Sequence, residues 1–406
     1  MKKLVLLILQ YCARKRLQKW KPIIIGITGS VGKSSTKECI AHVIEPYFHI
    51  LKTEKNLNTE FGLPLTILEL PPATSKWGWI KTVQEAWKRS KISEKSYEVL
   101  VLEMGAQYPG DLKVLTDLTP PNISVVTAVE PAHIEFFKTI DAIAYEKATL
   151  IRNLQRNGLG VVNYDNQYTR NMIHSAPNNC WVKTFGFDAK ADIVATRVEN
   201  SLVGLKGIIE DEGQHHGVHL PHIIGKHSMY MVLAAWAVAR KLGIPANEIA
   251  QRLKTFRNLS GRLTLIEGIN QSYVIDSSYN ASPASMKAAL DTLKDLPTQG
   301  RKIAIIGDML ELGELEQESH TEIGLYALQH RFDLVIFCGP RMKIAYNAFL
   351  SGPGEFKNIA MHYESSKEAS QNIAQKIKKN DLVLVKGSLG SKMKIVLEVI
   401  QKSIHS

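Results

Sequence analysis

The run Ile23-Ile24-Ile25-Gly26-Ile27-Thr28-Gly29-Ser30-Val31-Gly32-Lys33-Ser34-Ser35 constrains this chain more than any other stretch. Its β-branched start reads as a buried strand that empties into a glycine-rich turn, and Ser34 to Glu45 has the composition of a helix. Such a turn aims backbone N–H groups at phosphate oxygens, at the positive end of the following helix. Gly29, Ser30, Val31, Gly32 and Ser35 would surround the phosphates. Lys33 would reach the β/γ-phosphates, and the Ser34 hydroxyl would sit on Mg²⁺. The strict pattern has a glycine at position 27, where this chain has Ile27. The strand before the turn and the helix after it favour a nucleoside triphosphate site over a chance Gly-Lys-Ser.

A chain of 406 residues with 45% hydrophobic content suggests two or three well-formed domains. Alternating β-like and helical stretches, without repeats, predict α/β layers. Cys12, Cys39, Cys180 and Cys338 are far apart and show no metal-type spacing, which fits a reducing, cytoplasmic setting. The net charge of +11 is partly local, because Lys2, Lys3, Arg14, Lys15, Arg16, Lys19 and Lys21 crowd the start. The remaining surplus forms no basic-aromatic stripe, so the reading is no nucleic acid but an anionic, phosphate-rich substrate or an acidic membrane surface.

The first 21 residues read as an apolar and basic helix. Leu4 to Ala13 is too short an apolar run to span a bilayer, which needs roughly 20 residues. It has no small-x-small cleavage site. Two readings stand: a helix lying on the inner membrane face as a peripheral anchor, or a helix packed against the first domain.

Tyr97 to Gly105 reads as a buried strand ending on a carboxylate, Glu103. Ligands of open parallel sheets gather at such strand ends, which makes Glu103 a candidate Mg²⁺ ligand. Asn122 to Thr127 is another strand, followed at a similar place by His133. Lys147 lies on a helix that runs from Ile140 to near Asn157. Residues 180–225 alternate as strands added at a sheet edge, and Gly225-Lys226-His227 opens the helix Ser228–Leu242. From Phe256 onward, Tyr273–Asp276, Lys302–Asp308, Asp333–Gly339 and Asp381–Ser388 read as strands with helices between them. The fold expected is therefore a central P-loop ATPase-like domain with a mostly parallel sheet (22–255), followed by a smaller Rossmann-like C-terminal domain (256–406). Asp308 and Glu311 read either as substrate contacts or as helix caps. Glu314, Glu316 and Glu318 read as a solvated acidic face.

The order of these landmarks resembles the Mur ligase family, and within it the MurF type. The resemblance runs over roughly 22–400. It rests on the phosphate loop, Asn56-Leu57-Asn58, Leu102-Glu103-Met104-Gly105-Ala106, Ala132-His133-Ile134-Glu135 and Asn163-Tyr164-Asp165-Asn166. It continues through Ser260-Gly261-Arg262-Leu263, Asp276 to Ala281, Ile306 to Gly313 and Val385-Lys386-Gly387-Ser388. The resemblance implies an ATP- and Mg²⁺-dependent amide-bond ligase of peptidoglycan precursor synthesis. It would add D-Ala-D-Ala to a muramoyl tripeptide through an acyl phosphate. Lys33 would hold the β/γ-phosphates, Ser34 the first Mg²⁺, and Glu103 and His133 the second. Lys147 falls where several relatives carry a carbamylated, metal-facing lysine. Arg262 would approach the nucleotide phosphates, Asp276 to Asn280 would lie near the ribose and reaction centre, and Lys386 and Ser388 near the incoming amine. Because Arg262 and Lys386 belong to a different domain from Lys33, an open form that closes on ATP is expected.

Three departures qualify the resemblance. Only about 25 residues precede Gly26, so the domain that grips the UDP-sugar in the MurF type is expected to be absent. The His-Asn-x-x-Asn helix start that faces adenine reads His227-Ser228-Met229-Tyr230-Met231, leaving the Ser228 hydroxyl in place of an amide. The acidic pair before Ser-Tyr-Asn-Ala reads Asp276-Ser277. Two alternatives therefore remain: another Mur-like ligase with a different acceptor, such as a poly-γ-glutamate synthase, and a non-catalytic descendant with a weakened nucleotide site.

Overall fold

The computed structural model describes residues 2–54, 56–92, 96–131 and 134–402. Among the described residues the strands form two sheets, one in each half of the chain. The first sheet contains β1 (Ile23–Thr28), β2 (Ile50–Lys52), β3 (Val99–Glu103), β4 (Ile123–Val126), β5 (Leu159–Asn163), β6 (Trp181–Gly186), β7 (Ile193–Ser201), β8 (Gly204–Asp211) and β9 (Gln214–Leu220). Their order is β2-β3-β1-β4-β5-β6-β7-β8-β9. All pairs from β2 to β7 are parallel, while β7, β8 and β9 form an antiparallel meander at the edge, as the alternation of 180–225 predicts. The central strands β1, β3 and β4 are nearly continuous β-branched and leucine runs because both of their faces are covered.

One face of this sheet packs on α2 (Lys33–Ile44) and the helix Met229–Lys241, with Ile40, Val43, Val232 and Trp236 in the core. The opposite face receives α1 (Lys2–Trp20), α3 (Gly62–Leu68), α4 (Lys76–Arg89) and α5 (Asp111–Leu118). Leu9, Cys12 and Ala13 of α1 share one core with Leu63, Leu65, Ala86, Leu112 and Leu102. Arg16 is also buried and pairs with Glu69 at 2.6 Å. The inner face of α1 is therefore an outer layer of the first domain, and its apolar content serves packing first. The short helix α6 (Ile134–Phe137) and α7 (Ile140–Arg152) cover β4 and β5.

The second sheet contains β10 (Thr264–Glu267), β11 (Tyr273–Ser277), β12 (Lys302–Gly307), β13 (Leu334–Cys338), β14 (Ala360–Tyr363) and β15 (Leu382–Lys386), in the order β10-β11-β15-β12-β13-β14. It is parallel except for the β10–β11 pair. Helices lie on both faces, as in a doubly wound domain. The two halves touch closely: Ile224 of the first enters the core of the second, and Lys226 pairs with Asp295 at 3.1 Å.

Candidate active site

The carboxyl ends of β1, β3 and β4 converge on the glycine-rich turn. Gly29 has φ 145°, and a Cβ there would fall 2.0 Å from Thr127 Oγ1, so only glycine fits. Gly32, at φ 83°, turns the chain into α2, which begins at Lys33. The turn is tied to the segment after β4: Ser30 Oγ donates to the Glu130 carbonyl at 2.9 Å and accepts from the Glu130 N–H at 3.0 Å. The Ser30 N–H also bonds the Ala128 carbonyl at 2.7 Å. Lys33 Nζ donates to the carbonyls of Gly29 and Ser30, at 2.7 and 3.3 Å, so its ammonium lies back over the turn. Burial lowers its pKa; Glu103 opposes that shift and Arg262 adds to it.

Glu103 sits opposite Ile27 in the β1–β3 register. Its backbone N–H bonds Thr53 Oγ1 at 2.9 Å, and its carboxylate accepts from Asn58 Nδ2 at 3.1 Å. Asn58 is fixed in turn by the Gly105 N–H on its carbonyl. Asn56, Asn58, Glu103, Ser34 and Arg262 line one cleft, with Tyr279 at its rim. This donor set of hydroxyl, carboxylate and amide oxygens suits Mg²⁺, which takes few protein ligands and completes its shell with phosphate oxygens and water. Among the described residues no group of three or more His, Cys, Asp or Glu could hold an ion by itself. His133, the expected fourth metal residue, lies outside the described residues.

Lys147 is buried on α7, with its pKa pushed down to about 7 by burial and then by Lys33. Its neighbour Glu146 is turned away to hold the first turn of α5, accepting from the N–H groups of Gly110 and Leu112 at 2.9 and 2.7 Å.

The C-terminal domain supplies the other wall. Arg262 Nη2 donates to Ser34 Oγ at 3.1 Å, and its guanidinium lies 4.2 Å from the centre of the Tyr279 ring. The cation of the second domain thus reaches the hydroxyl of the phosphate turn directly. Lys386, at the end of β15, is buried and donates to the Asn280 carbonyl at 2.9 Å and to Ser277 Oγ at 3.3 Å. Burial and then Arg262 push its pKa down to about 7.

Asp276, expected near the ribose and reaction centre, lies near the end of β11. Both carboxylate oxygens are engaged inside the domain: Oδ2 accepts from the Gly261 N–H at 2.9 Å and Oδ1 from Ser278 N and Oγ at 3.1 and 2.6 Å. Asp276 therefore fixes the turn that presents Arg262. Asn280 contributes its backbone carbonyl, while the residue itself is exposed. Half-buried His227 has its pKa lowered to about 4 by burial and by Lys386, so it is neutral. The Ser228 hydroxyl donates to the Ile224 carbonyl at 2.8 Å, which leaves only its lone pairs for a ligand. Asp308 is buried and accepts from the Met342 N–H at 2.9 Å, the capping alternative of its two readings. Glu316 of the acidic run pairs with Arg341 at 2.6 Å. Thr53, Thr127 and Glu146 carry no motif of their own, and Tyr279 lies inside the Asp276 to Ala281 stretch without a role being assigned to it. Thr53 and Thr127 precede or follow strand ends beside the turn, the one sequence signal that would have found them.

Fold and site together define a two-domain P-loop enzyme whose nucleotide cleft is completed by cations from its second domain. A model of the Mur ligase middle domain matches residues 27–239, and one of the Mur ligase glutamate ligase domain matches residues 261–389. The UDP-N-acetylmuramoyl-tripeptide–D-alanyl-D-alanine ligase of Bacillus subtilis (strain 168) is 31% identical over 402 residues, covering 98% of this chain and 79% of its own. The enzyme of the same name from Escherichia coli (strain K12) is 28% identical over 383 residues, covering 94% and 77%. The crystal structure of MurF ligase from Thermotoga maritima in complex with ADP superposes with a TM-score of 0.81 at 26% identity, over 97% of this chain and 83% of that one. The chain belongs to the Mur ligase family.

Proposed function

We propose that the protein is an ATP-dependent amide-bond ligase of peptidoglycan synthesis that joins D-alanyl-D-alanine to a muramoyl tripeptide. The observation that carries this reading is the meeting of Arg262 with Ser34, which brings the cations of both domains to one phosphate turn. The substrate carboxylate attacks the γ-phosphorus of ATP, giving an acyl phosphate and ADP. The amine of D-alanyl-D-alanine then adds to the acyl carbon, and collapse of the tetrahedral adduct expels phosphate. Lys33 and Arg262 neutralise charge that develops on the transferring phosphoryl group. Lys386, with an amine pKa of about 7, would meet the incoming nucleophile in this reading.

Mg²⁺ belongs to this reading, held by Ser34, Glu103, His133 and Lys147, and would supply charge neutralisation at the phosphates. A buried amine with a pKa of about 7 has a large neutral fraction near neutral pH, and the neutral amine is the state that reacts with carbon dioxide. That supports carbamylation of Lys147, which would make it a metal-facing carboxylate. A peripheral place on the inner membrane face also belongs to the reading, with α1 as the contact. None of the described helices is long and apolar enough to cross a membrane.

The test is phosphate release from ATP with UDP-MurNAc-tripeptide and D-alanyl-D-alanine, followed by mass spectrometry. A pentapeptide product that disappears in Lys33→Ala is expected. ATP turnover only with other acceptors would shift the substrate, and no turnover with any acceptor would overturn the ligase reading.

A further inference from the structure

We propose that α1 and α4 form one composite docking face for an anionic lipid bilayer, with aromatic rings of both helices seated among the headgroups. The proposal rests on the reading of α1 as a peripheral membrane contact and gives that contact its second half. The inner side of α1 is committed to the core, so only its outer side is available. There Leu4, Leu7 and Tyr11, spaced i, i+3 and i+7, are 63%, 55% and 46% exposed. On α4, Trp77, Ile80 and Trp87 occupy the matching outward stripe at 77%, 48% and 46% exposure, while Trp79 turns inward onto Phe61.

The two stripes join. The Tyr11 and Trp87 rings stack with centroids 6.0 Å apart, and Lys19 Nζ donates to the Lys91 carbonyl further along. The helices therefore run in the same sense, which brings Leu4 and Leu7 to the end of the face that holds Trp77 and Ile80. Cations frame the apolar stripe: Lys3, Arg14, Lys15, Lys76, Lys81 and Lys88 are all exposed. Lys15 Nζ lies 4.8 Å from the Tyr11 ring centre and 5.7 Å from that of Trp87. The one acidic residue on the two helices, Glu85, is already paired with Lys88 and Arg89.

Exposed indole and phenol rings favour the headgroup level of a bilayer, and flanking lysines favour an anionic leaflet over a neutral one. Long lysine stems can lie along the apolar stripe while their ammonium groups reach lipid phosphates. This charge complementarity selects an anionic bilayer as the occupant.

The test is co-sedimentation of the full chain with vesicles of phosphatidylglycerol and phosphatidylcholine, against vesicles of phosphatidylcholine alone. Binding to the anionic vesicles is expected, falling at least ~10-fold between ~0.1 and ~0.5 M salt as the charges are screened. The pairs Trp77→Glu/Ile80→Glu and Lys81→Glu/Lys88→Glu are each expected to lower partitioning at least ~10-fold while phosphate release by the ligase stays unchanged. Binding that is lost in Leu4→Glu/Leu7→Glu yet untouched by the α4 pairs would overturn the composite face and leave α1 alone as the contact. Failure of the unaltered chain to bind would overturn both. Equal binding to neutral vesicles, or self-association abolished by the α4 pairs without lipid binding, would also overturn the proposal. Absence of ligase activity in a chain that still binds vesicles would count against the enzyme reading only.

Discussion

Lys147 and Lys386 stand in different domains, yet both are buried and both have amines whose pKa is pushed down to about 7. Each lies near a second cation directed at the nucleotide site, Lys33 for the first and Arg262 for the second. Each also has an acid close by that other work has claimed. Glu146 is spent on the amides that start α5, and Asp276 on the amide of Gly261 and on Ser278. Each acid still attracts its lysine through space, but its oxygens are hydrogen-bonded to backbone N–H groups and, for Asp276, to a hydroxyl. The two domains have thus reached the same end by the same device, a carboxylate diverted into holding a loop. They differ in tethering: Lys386 is fixed by a carbonyl and a hydroxyl at the end of a strand, whereas Lys147 rides on a helix beside the phosphate turn.

The largest test of that comparison is Lys33→Ala. Loss of the ammonium over the turn is expected to lower kcat by about 10²–10³-fold, as removal of a charge-stabilising group does at comparable sites. It should also separate the two lysines. Removing the neighbouring cation raises the Lys147 pKa above about 7 and leaves Lys386 where it is. The pH dependence of acylation of each lysine by a small ester, read by peptide mass spectrometry, checks both halves. A parallel rise at Lys386 would break the comparison.

The nucleotide half of the site was legible in the sequence because its geometry is local: a strand, a turn with two positive-φ glycines and a helix lie within about 20 residues. The strand-helix alternation likewise gave both sheets and the edge meander. What could not be read was what a given acid is used for. The resemblance puts Asp276 near the ribose, and its neighbours in sequence say nothing of its hydrogen bonds. Only the return of the chain at Gly261, fifteen residues earlier, shows which donors occupy it. Glu146 passes unnoticed for the same reason, since its partners Gly110 and Leu112 are more than thirty residues away. The first helix was ambiguous because an apolar run with basic residues suits a membrane and a core equally. Its inner face took the core once α3, α4 and α5 supplied partners.

Asp276→Asn and Glu146→Gln sharpen the contrast at the next level. Each removes a charged acceptor from backbone amides, of which those of Gly261 and Leu112 are buried, at a stability cost of about 1.5–3 kcal/mol per buried bond. Only the Asp276 change loosens the turn carrying Arg262, so it is expected to lower kcat by about 10–100-fold, whereas Glu146→Gln lowers the melting temperature with a smaller loss of rate. Steady-state kinetics and thermal unfolding of the two variants side by side decide this. Equal losses of rate would mean that Asp276 does not act through Arg262.

Stability against pH gives a smaller effect with a fixed sign. Between about 7 and the ordinary lysine value of 10.5, the unfolded chain holds a proton on Lys147 and Lys386 that the folded chain has released. Stability therefore rises with pH across that window and is lowest below it. Lys147→Met or Lys386→Met should flatten this slope and raise Tm at pH 7 by at least about 2–4 °C, at the expense of activity. Calorimetry in buffer free of carbon dioxide keeps the Lys147 amine unmodified. A slope that persists in the double variant would assign the dependence to other groups.

Ser277→Asp tests the tethering difference with the smallest expected change. Ser277 Oγ lies 3.3 Å from Lys386 Nζ, and both residues are buried, so an aspartate there supplies the directed carboxylate that Asp276 does not. An adjacent opposite charge raises a lysine pKa by about 1–3 units. At pH 7.5 Lys386 then passes from mostly neutral to mostly protonated. If the amine works as a neutral group toward the incoming nucleophile, kcat falls by roughly 3–10-fold at pH 7.5 and recovers as pH is raised toward 9. If Lys386 works instead as a fixed cation against phosphate charge, the same substitution supplies at pH 7.5 a charge that is mostly missing there, so kcat rises and the pH profile extends on the alkaline side. Lys147 offers no equivalent manipulation, because its effective neighbour is the Lys33 ammonium and not a hydroxyl. A profile that shifts in Ser277→Asp while the acylation pH of Lys147 holds still would therefore establish that the two lysines, alike in burial and in pKa, are tuned independently.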